Sequence, residues 1–422
     1  MMILWMCVVA VTLPVFTNQQ CLTKDDSKPS TDPQARLALF RGQQEFSLAM
    51  LQTVNHMYPN QNIFFSPHSI YQAMLLSYFV AANHTEASIK KAIFLPKQQD
   101  KLSTMQAYRL EKFFQSMRLV NGSDSYELRS ANRLFVSQQQ KVKECMLELF
   151  KDEVQQVDFA KSAESAQVIN QWVANQTKNN IKELIPEGSI SETTQLILTN
   201  AAYFKGLWKS KFLKSNSRKE IFYINSSKNA FVTMMRQKGT FNHAVSEQLG
   251  AHILELPYKG DDVSMFVLLP PFASPSGITN ILKRLTLKTL HEIIDEDSMI
   301  PRAVEVSIPK FEVEKSIELV QILTSFGIDM FEDTADLSSL TDATGPRVRF
   351  TDAVHKARLQ VDEDGTTAAA ATAVLSFRSS RPLDPAQFIC NHPFVYIIYD
   401  KVAQVVLFTG VYSTPEGGNE AQ

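Results

Sequence analysis

The sequence predicts an α+β fold in one large domain, and three observations carry the prediction. From residue 34 onward, Phe46, Ala49, Met50, Val54 and Met57 recur at the spacing of a single helical face. Near the other end, residues 394–399 (FVYIIY) and 405–408 (VVLF) are apolar runs of strand length joined by a polar turn at Asp400 and Lys401. Between them no Gly/Ser linker, charge block or internal repeat divides the chain. With 44% hydrophobic residues it can bury a sizeable core. Lys plus Arg number 42 against 44 Asp plus Glu, a net charge of -2, which argues against a nucleic-acid binder that works by neutralising phosphates.

At the start, residues 1–17 (MMILWMCVVAVTLPVFT) carry no charge, and the first charged residue is Lys24. The run is short for a membrane span, and the polar residues from Asn18 suit a cleavage region, so it reads as a secretory signal peptide. The missing basic n-region leaves a signal anchor or a buried strand as the alternatives. Residues 18–33, mostly polar with Pro29 and Pro33, read as a flexible tail, residues 34–414 as the folded domain and residues 415–422 as a second tail. Cys7 would leave with the signal. That leaves Cys21, Cys145 and Cys390 without a CxxC, as one bridge plus a free thiol or as three unpaired thiols. Asn-x-Ser/Thr sequons at Asn83, Asn121, Asn175 and Asn225 are candidate glycosylation sites that agree with secretion.

Along the domain, Ser66 is placed to cap a helix that Pro67 opens at its first position. Residues 169–185 put Ile169, Trp172 and Val173 on one helical face. Residues 196–204 form a mostly apolar strand in which Asn200 requires a hydrogen-bond partner if enclosed. Ser66, Ser69, Asn200 and His355 each stand in or beside an apolar segment, and residues 355–361 tend to alternate polar and apolar, as a strand does. The chain contains no GxSxG elbow, HExxH, P-loop or GxGxxG, and its histidines have no metal-ligand spacing. No enzyme activity, cofactor or metal is expected.

The most unusual stretch is residues 361–382, VDEDGTTAAAATAVLSFRSSRP. From Gly365 to Phe377 it has neither charge nor proline. Composition by itself favours a helix or an ordinary loop, because alanine is the best helix former. Yet Thr366, Ala368, Ala370, Thr372, Val374 and Ser376 make one face small and uncharged, as entry into an existing sheet requires, and the flanks read as strands.

The segments AVHKARLQVDEDGTTAAAATA, NHPFVYIIYD and VVLFTGVY, together with NIFFSPHSI and LILTNAAYFKGLW, resemble the hinge, reactive loop, C-terminal strands and central segments of the serpin family. The resemblance covers residues 35–414 and implies three β-sheets, about nine helices and an exposed reactive-centre loop. It implies a hinge at Glu363, Gly365, Thr366, Ala368, Ala369, Ala370 and Ala371. It also implies a polar cluster of Ser66, Ser69, Asn200 and His355 beneath the main sheet, with Trp208 where the loop enters.

The function it implies is that of a suicide substrate, trapped as a covalent complex with a serine protease while the loop inserts into the sheet. A typical loop length puts the scissile bond between Ser379 and Ser380. A loop one residue shorter puts it between Arg378 and Ser379, which is favoured narrowly because an arginine suits the acidic pocket of a trypsin-like protease. A non-inhibitory carrier or chaperone of the same family is the alternative, and an unrelated secreted enzyme a more distant one. Lys209, Lys211, Lys214, Arg218 and Lys219 form a basic run that reads as a solvated loop before it reads as a site for sulfated polysaccharide. The loop and C-terminal strands resemble those of arthropod haemolymph serpins that restrain immune protease cascades. The expectation is therefore an extracellular, monomeric glycoprotein of innate immunity without nucleic-acid or membrane partners.

Overall fold

The structure is a computed structural model describing residues 21–23, 32–121, 126–272, 274–295, 299–341, 347–363 and 384–415. The expected hinge residues Gly365, Thr366 and Ala368 to Ala371, and the bond residues Arg378, Ser379 and Ser380, lie outside the described set.

The chain opens with α1 (Ala35–Met57), whose Phe46, Met50 and Val54 are buried as their spacing requires. After the short β1 (Ile63–Phe65), Ser66 caps α2 (Pro67–Val80) by accepting from the Ser69 amide, with Pro67 in the first turn. Every residue of α2 is buried, so this helix is the axis about which the rest packs. Next come α3 (Asn83–Ala92), α4 (Lys101–Asn121), β2 (Tyr126–Ser137), α5 (Glu144–Leu149) and β3 (Val154–Val157).

The helical face of Ile169, Trp172 and Val173 belongs to α6 (Ser162–Gln176), and a return segment follows it. Lys178 and Asn179 take positive φ, and the returning segment is held by Asn170, which accepts from the Leu184 and Ile185 amides and donates to the Ile185 carbonyl. Ile169 and Val173 of α6 pack on Ala131, Phe135, Ile197 and Ala201, so the helix lies across a sheet.

The remaining elements are β4 (Leu196–Gly206), β5 (Arg218–Tyr223), β6 (Asn229–Ser246), β7 (Ala251–Pro257), β8 (Val263–Leu269), α7 (Gly277–Arg284) and α8 (Leu287–Ile294). They are followed by β9 (Ile300–Pro309), β10 (Phe311–Glu318), α9 (Leu319–Ser325), β11 (Phe350–Val361), β12 (Ala386–Ile389), β13 (Phe394–Asp400) and β14 (Val405–Tyr412). Two hydrogen-bonded sheets result among the described residues. One has five strands in the order β10-β11-β4-β2-β3. The other has nine, in the order β1-β14-β13-β8-β7-β6-β9-β12 with β5 beside β6.

Two of the three expected sheets are thus continuous, because the 18-residue β6 serves both. It pairs with β5 and β9 along most of its length and with β7 only from His243 to Ser246. Phe204 of β4 packs edge-on to Tyr258 at 5.1 Å and against Phe408 of β14 at 5.6 Å, locking the two sheets face to face. Burying each such ring stabilises the fold by about 1.5–3 kcal/mol.

The open question of the cysteines resolves into one bridge and one thiol. Cys21 is bonded to Cys145 on α5, tying the start of the described chain to the body, while Cys390 is a buried free thiol whose pKa burial raises. Among the described residues no helix is long and apolar enough to cross a membrane.

Candidate functional site

The site is the seam between β11 and β4 in the five-stranded sheet. The strands are parallel and paired directly, from Phe350 opposite Leu196 to Leu359 opposite Phe204. The alternation read in residues 355–361 is the pleat of β11, which buries Ala353, His355, Ala357, Leu359 and Val361.

Midway along the seam the register sets three polar residues in one row. His355 on β11 lies opposite Asn200 on β4, which lies opposite Asn132 on β2. The N-terminus of α2 closes the row from below. The backbone N–H of Ser66 lies 3.0 Å from His355 Nε2, and an amide nitrogen can only donate, so Nε2 is the accepting nitrogen. The ring proton therefore sits on Nδ1 and is donated to Asn200 Oδ1.

Asn200 is thereby oriented, and its Nδ2 donates to Ser69 Oγ at 2.8 Å and to Asn132 Oδ1. Ser69 Oγ donates to Asn132 Oδ1 at 2.8 Å, and Ser66 Oγ donates to the Leu407 carbonyl of β14 at 2.7 Å. Burial lowers the His355 pKa to about 3, so the imidazole is neutral under ordinary conditions. Both of its nitrogens are occupied. It is a bracket across the seam and has no free nitrogen to act as a base.

A second cluster sits where β11 ends. The Trp208 indole stacks on Tyr258 at 4.5 Å and donates to the Asp362 carbonyl at 2.9 Å, fixing the chain just before the expected hinge. Glu363 follows and is nearly buried. Lys310 donates to its Oε2 at 2.6 Å and Ser217 to its Oε1 at 2.9 Å. Burial opposes ionisation of Glu363, but the bonds from Lys310, its own backbone and Ser217 outweigh it and hold the carboxyl below its usual range. The chain leaves the described region at this anchored carboxylate and re-enters it at residue 384, shortly before β12, which pairs with β9.

The sequence-derived residues Ser66, Ser69, Asn200 and His355 are thus brought into one network, while Trp208 and Glu363 form another. Asn132, Lys310, Ser217 and Tyr258 belong to these networks and were not found from sequence. Only strand register, which places Asn132 beside Asn200, could have pointed to the first. Asn83, Asn175 and Asn225 are exposed, and Asn121 is the last residue of α4. Lys209, Lys211, Lys214, Arg218 and Lys219 are exposed from the end of β4 into β5, and Lys209 pairs with Asp261 at 2.8 Å. Among the described residues no group of three or more His, Cys, Asp or Glu is arranged to hold a metal ion.

Comparison with known proteins bears on this geometry. A family model described as "Serpin (serine protease inhibitor)" matches residues 41–415. The chain is 39% identical to "Serine protease inhibitor 88Ea" of Drosophila melanogaster over 398 residues, covering 90% of this chain and 92% of that protein. It is 37% identical to human "Serpin B3", covering 84% and 94%, and 34% identical to the pig "Leukocyte elastase inhibitor", covering 88% and 97%. Among solved structures, a tumour-suppressing serpin aligns with a TM-score of 0.77 at 25% identity over 90% of this chain and 99% of that one. Uncleaved ovalbumin aligns with a TM-score of 0.77 at 25% identity, covering 89% and 100%.

Proposed function

The chain belongs to the serpin family, and on that premise we propose that it is a secreted inhibitor of trypsin-like serine proteases that acts as a suicide substrate. The observation that carries this reading is the parallel pairing of β11 with β4. A segment that continues from the end of β11 and turns back runs antiparallel to β11. Because β4 is parallel to β11, that segment is antiparallel to β4 as well. Insertion exchanges one parallel ladder for two antiparallel ones, each slightly more stable per residue.

Gly365 permits the turn, and Thr366 through Ala373 bring no charge into the sheet. The protease serine attacks the carbonyl carbon of Arg378, its oxygen forms the acyl bond, and the amine of Ser379 leaves with a proton from the protease histidine. Residues from the hinge onward then insert between β11 and β4 and carry the acylated protease along. Glu363, clamped by Lys310 and Ser217, is the fixed point about which the segment turns.

Secretion is supported by the Cys21–Cys145 bridge, which persists in oxidising compartments, and by exposed sequon asparagines at Asn83, Asn175 and Asn225. The setting of an immune protease cascade rests on the resemblance of the loop and C-terminal strands to arthropod haemolymph serpins.

The test is incubation of the purified protein with trypsin, followed by a denaturing gel and mass spectrometry of the released C-terminal peptide. A stable high-mass complex and a peptide starting at Ser379 are expected. A peptide starting at Ser380 moves the bond by one residue and removes the case for trypsin-like specificity. Cleavage without a complex across a panel of serine proteases replaces this reading with that of a non-inhibitory member.

A further inference from the structure

We propose that His243 and His252 form a two-imidazole site for a divalent transition-metal ion, Zn2+ or Cu2+, on the nine-stranded sheet. In the β6–β7 pair, His243 is opposite Leu254 and Val245 is opposite His252. His243 and His252 are therefore diagonal neighbours on one face, the relation that brings long side chains of adjacent strands together. Their ring centroids are 5.8 Å apart at an interplanar angle of 62°. An ion about 2.0–2.1 Å from one nitrogen of each ring holds the two centroids roughly 5–6 Å apart.

The second observation is the state of His243. It is 3% exposed, and both its Nδ1 and its Nε2 are buried without a hydrogen-bond partner. Buried polar atoms are nearly always satisfied, so a ring with neither nitrogen satisfied invites a ligand. His252 is exposed at the mouth of the pair and gives an ion access from solvent. Burial, Arg302 and His252 together lower the His243 pKa to about 4, so the ring is free of its acidic proton at neutral pH, as a metal ligand must be.

Among the described residues no third His, Cys, Asp or Glu completes the set, so water fills the remaining positions. The guanidinium of Arg302, which donates to the His243 carbonyl at 3.4 Å, is a like charge that keeps the affinity modest. Two imidazoles favour Cu2+ over Zn2+ and leave Ca2+ unbound. His243 also meets Phe388 of β12 edge-on at 5.9 Å, so an ion held here braces the strand that receives the chain after residue 383.

The test is thermal unfolding of the purified full chain in increasing Cu2+, Zn2+ or Ca2+, with electron paramagnetic resonance of the Cu2+ form. The midpoint is expected to rise with Cu2+ and Zn2+ by mass action, to stay put with Ca2+, and the Cu2+ spectrum to carry hyperfine structure from two nitrogens. His252→Ala alters only an exposed side chain and is expected to weaken binding at least about tenfold, as losing even an outer-shell partner can do. His243→Phe, if folded, should behave alike. An unshifted wild-type midpoint, or an equal shift in His252→Ala, overturns the proposal.

Discussion

His355 and His243 are both buried histidines in β-strands, both held neutral by burial, and they differ in how their nitrogens are used. His355 has a partner on each nitrogen, and those partners span β4, α2 and, through Ser66, the carbonyl of Leu407 on β14. His243 has none. The comparison separates two uses of one residue type. A fully satisfied imidazole fixes the relation of the elements it bridges, here β11, β4 and the start of α2. An unsatisfied one leaves the fold with a deficit that an outside ligand can remove.

Acid is expected to break the comparison most strongly. His355 takes up its proton near pH 6.5 when unfolded but only near pH 3 when folded, so the unfolded state binds more protons between those values. Stability is therefore full above pH 6.5 and falls as the pH drops, by roughly 1.4 kcal/mol per pH unit for this one group. His243 adds a slope of the same sign between pH 6.5 and 4. Urea titrations at several pH values check this, and a ligand-free protein as stable at pH 4.5 as at pH 7 contradicts it. Saturating Zn2+ should steepen the loss further, because the ion must leave before His243 can be protonated.

The next effect is that of Asn200→Leu, which leaves His355 Nδ1–H and Ser69 short of partners and should cost about 2–3 kcal/mol by urea unfolding. Asn132→Ala removes an acceptor that Ser69 and Asn200 share, at the half-exposed end of the row, and should cost about 1–2 kcal/mol. A loss for Asn132→Ala equal to that of Asn200→Leu would show that the row is not centred on the seam. Trp208→Phe keeps a ring on Tyr258 but loses the bond to the Asp362 carbonyl, for about 1 kcal/mol. Its larger expected effect is on how fast a protease complex forms, read in stopped-flow mixing with trypsin.

What could be read from the sequence followed from local rules. The Ser66 cap, the stripe of α1, the strand pairs at the C-terminus and the polar identity of Asn200 and His355 are each set by neighbours in the chain. What could not be read depended on register or long-range closure. Asn132 joins Asn200 only because β2 and β4 pair antiparallel with those residues opposed. Cys21 finds Cys145 across 124 residues. Lys310 reaches Glu363 from the junction of β9 and β10, where the chain passes from one sheet to the other. The pairing of His243 with His252 needed the β6–β7 register, since a separation of nine residues matches no ligand motif. The helical face of Ile169, Trp172 and Val173 was legible from spacing, whereas the point at which α6 gives way to the return segment is set by the positive φ of Lys178 and Asn179.

The proposed function requires that the β11–β4 seam accept the loop as a new strand. Its most direct test is to nick residues 364–383 with a protease that is not trapped, purify the nicked protein with its C-terminal fragment attached, and compare its thermal unfolding with that of the intact chain. Insertion predicts a midpoint raised well above that of the intact protein, because the sheet gains a strand and stored strain is released. A nicked protein that melts at the same temperature as the intact one, or lower, contradicts the account.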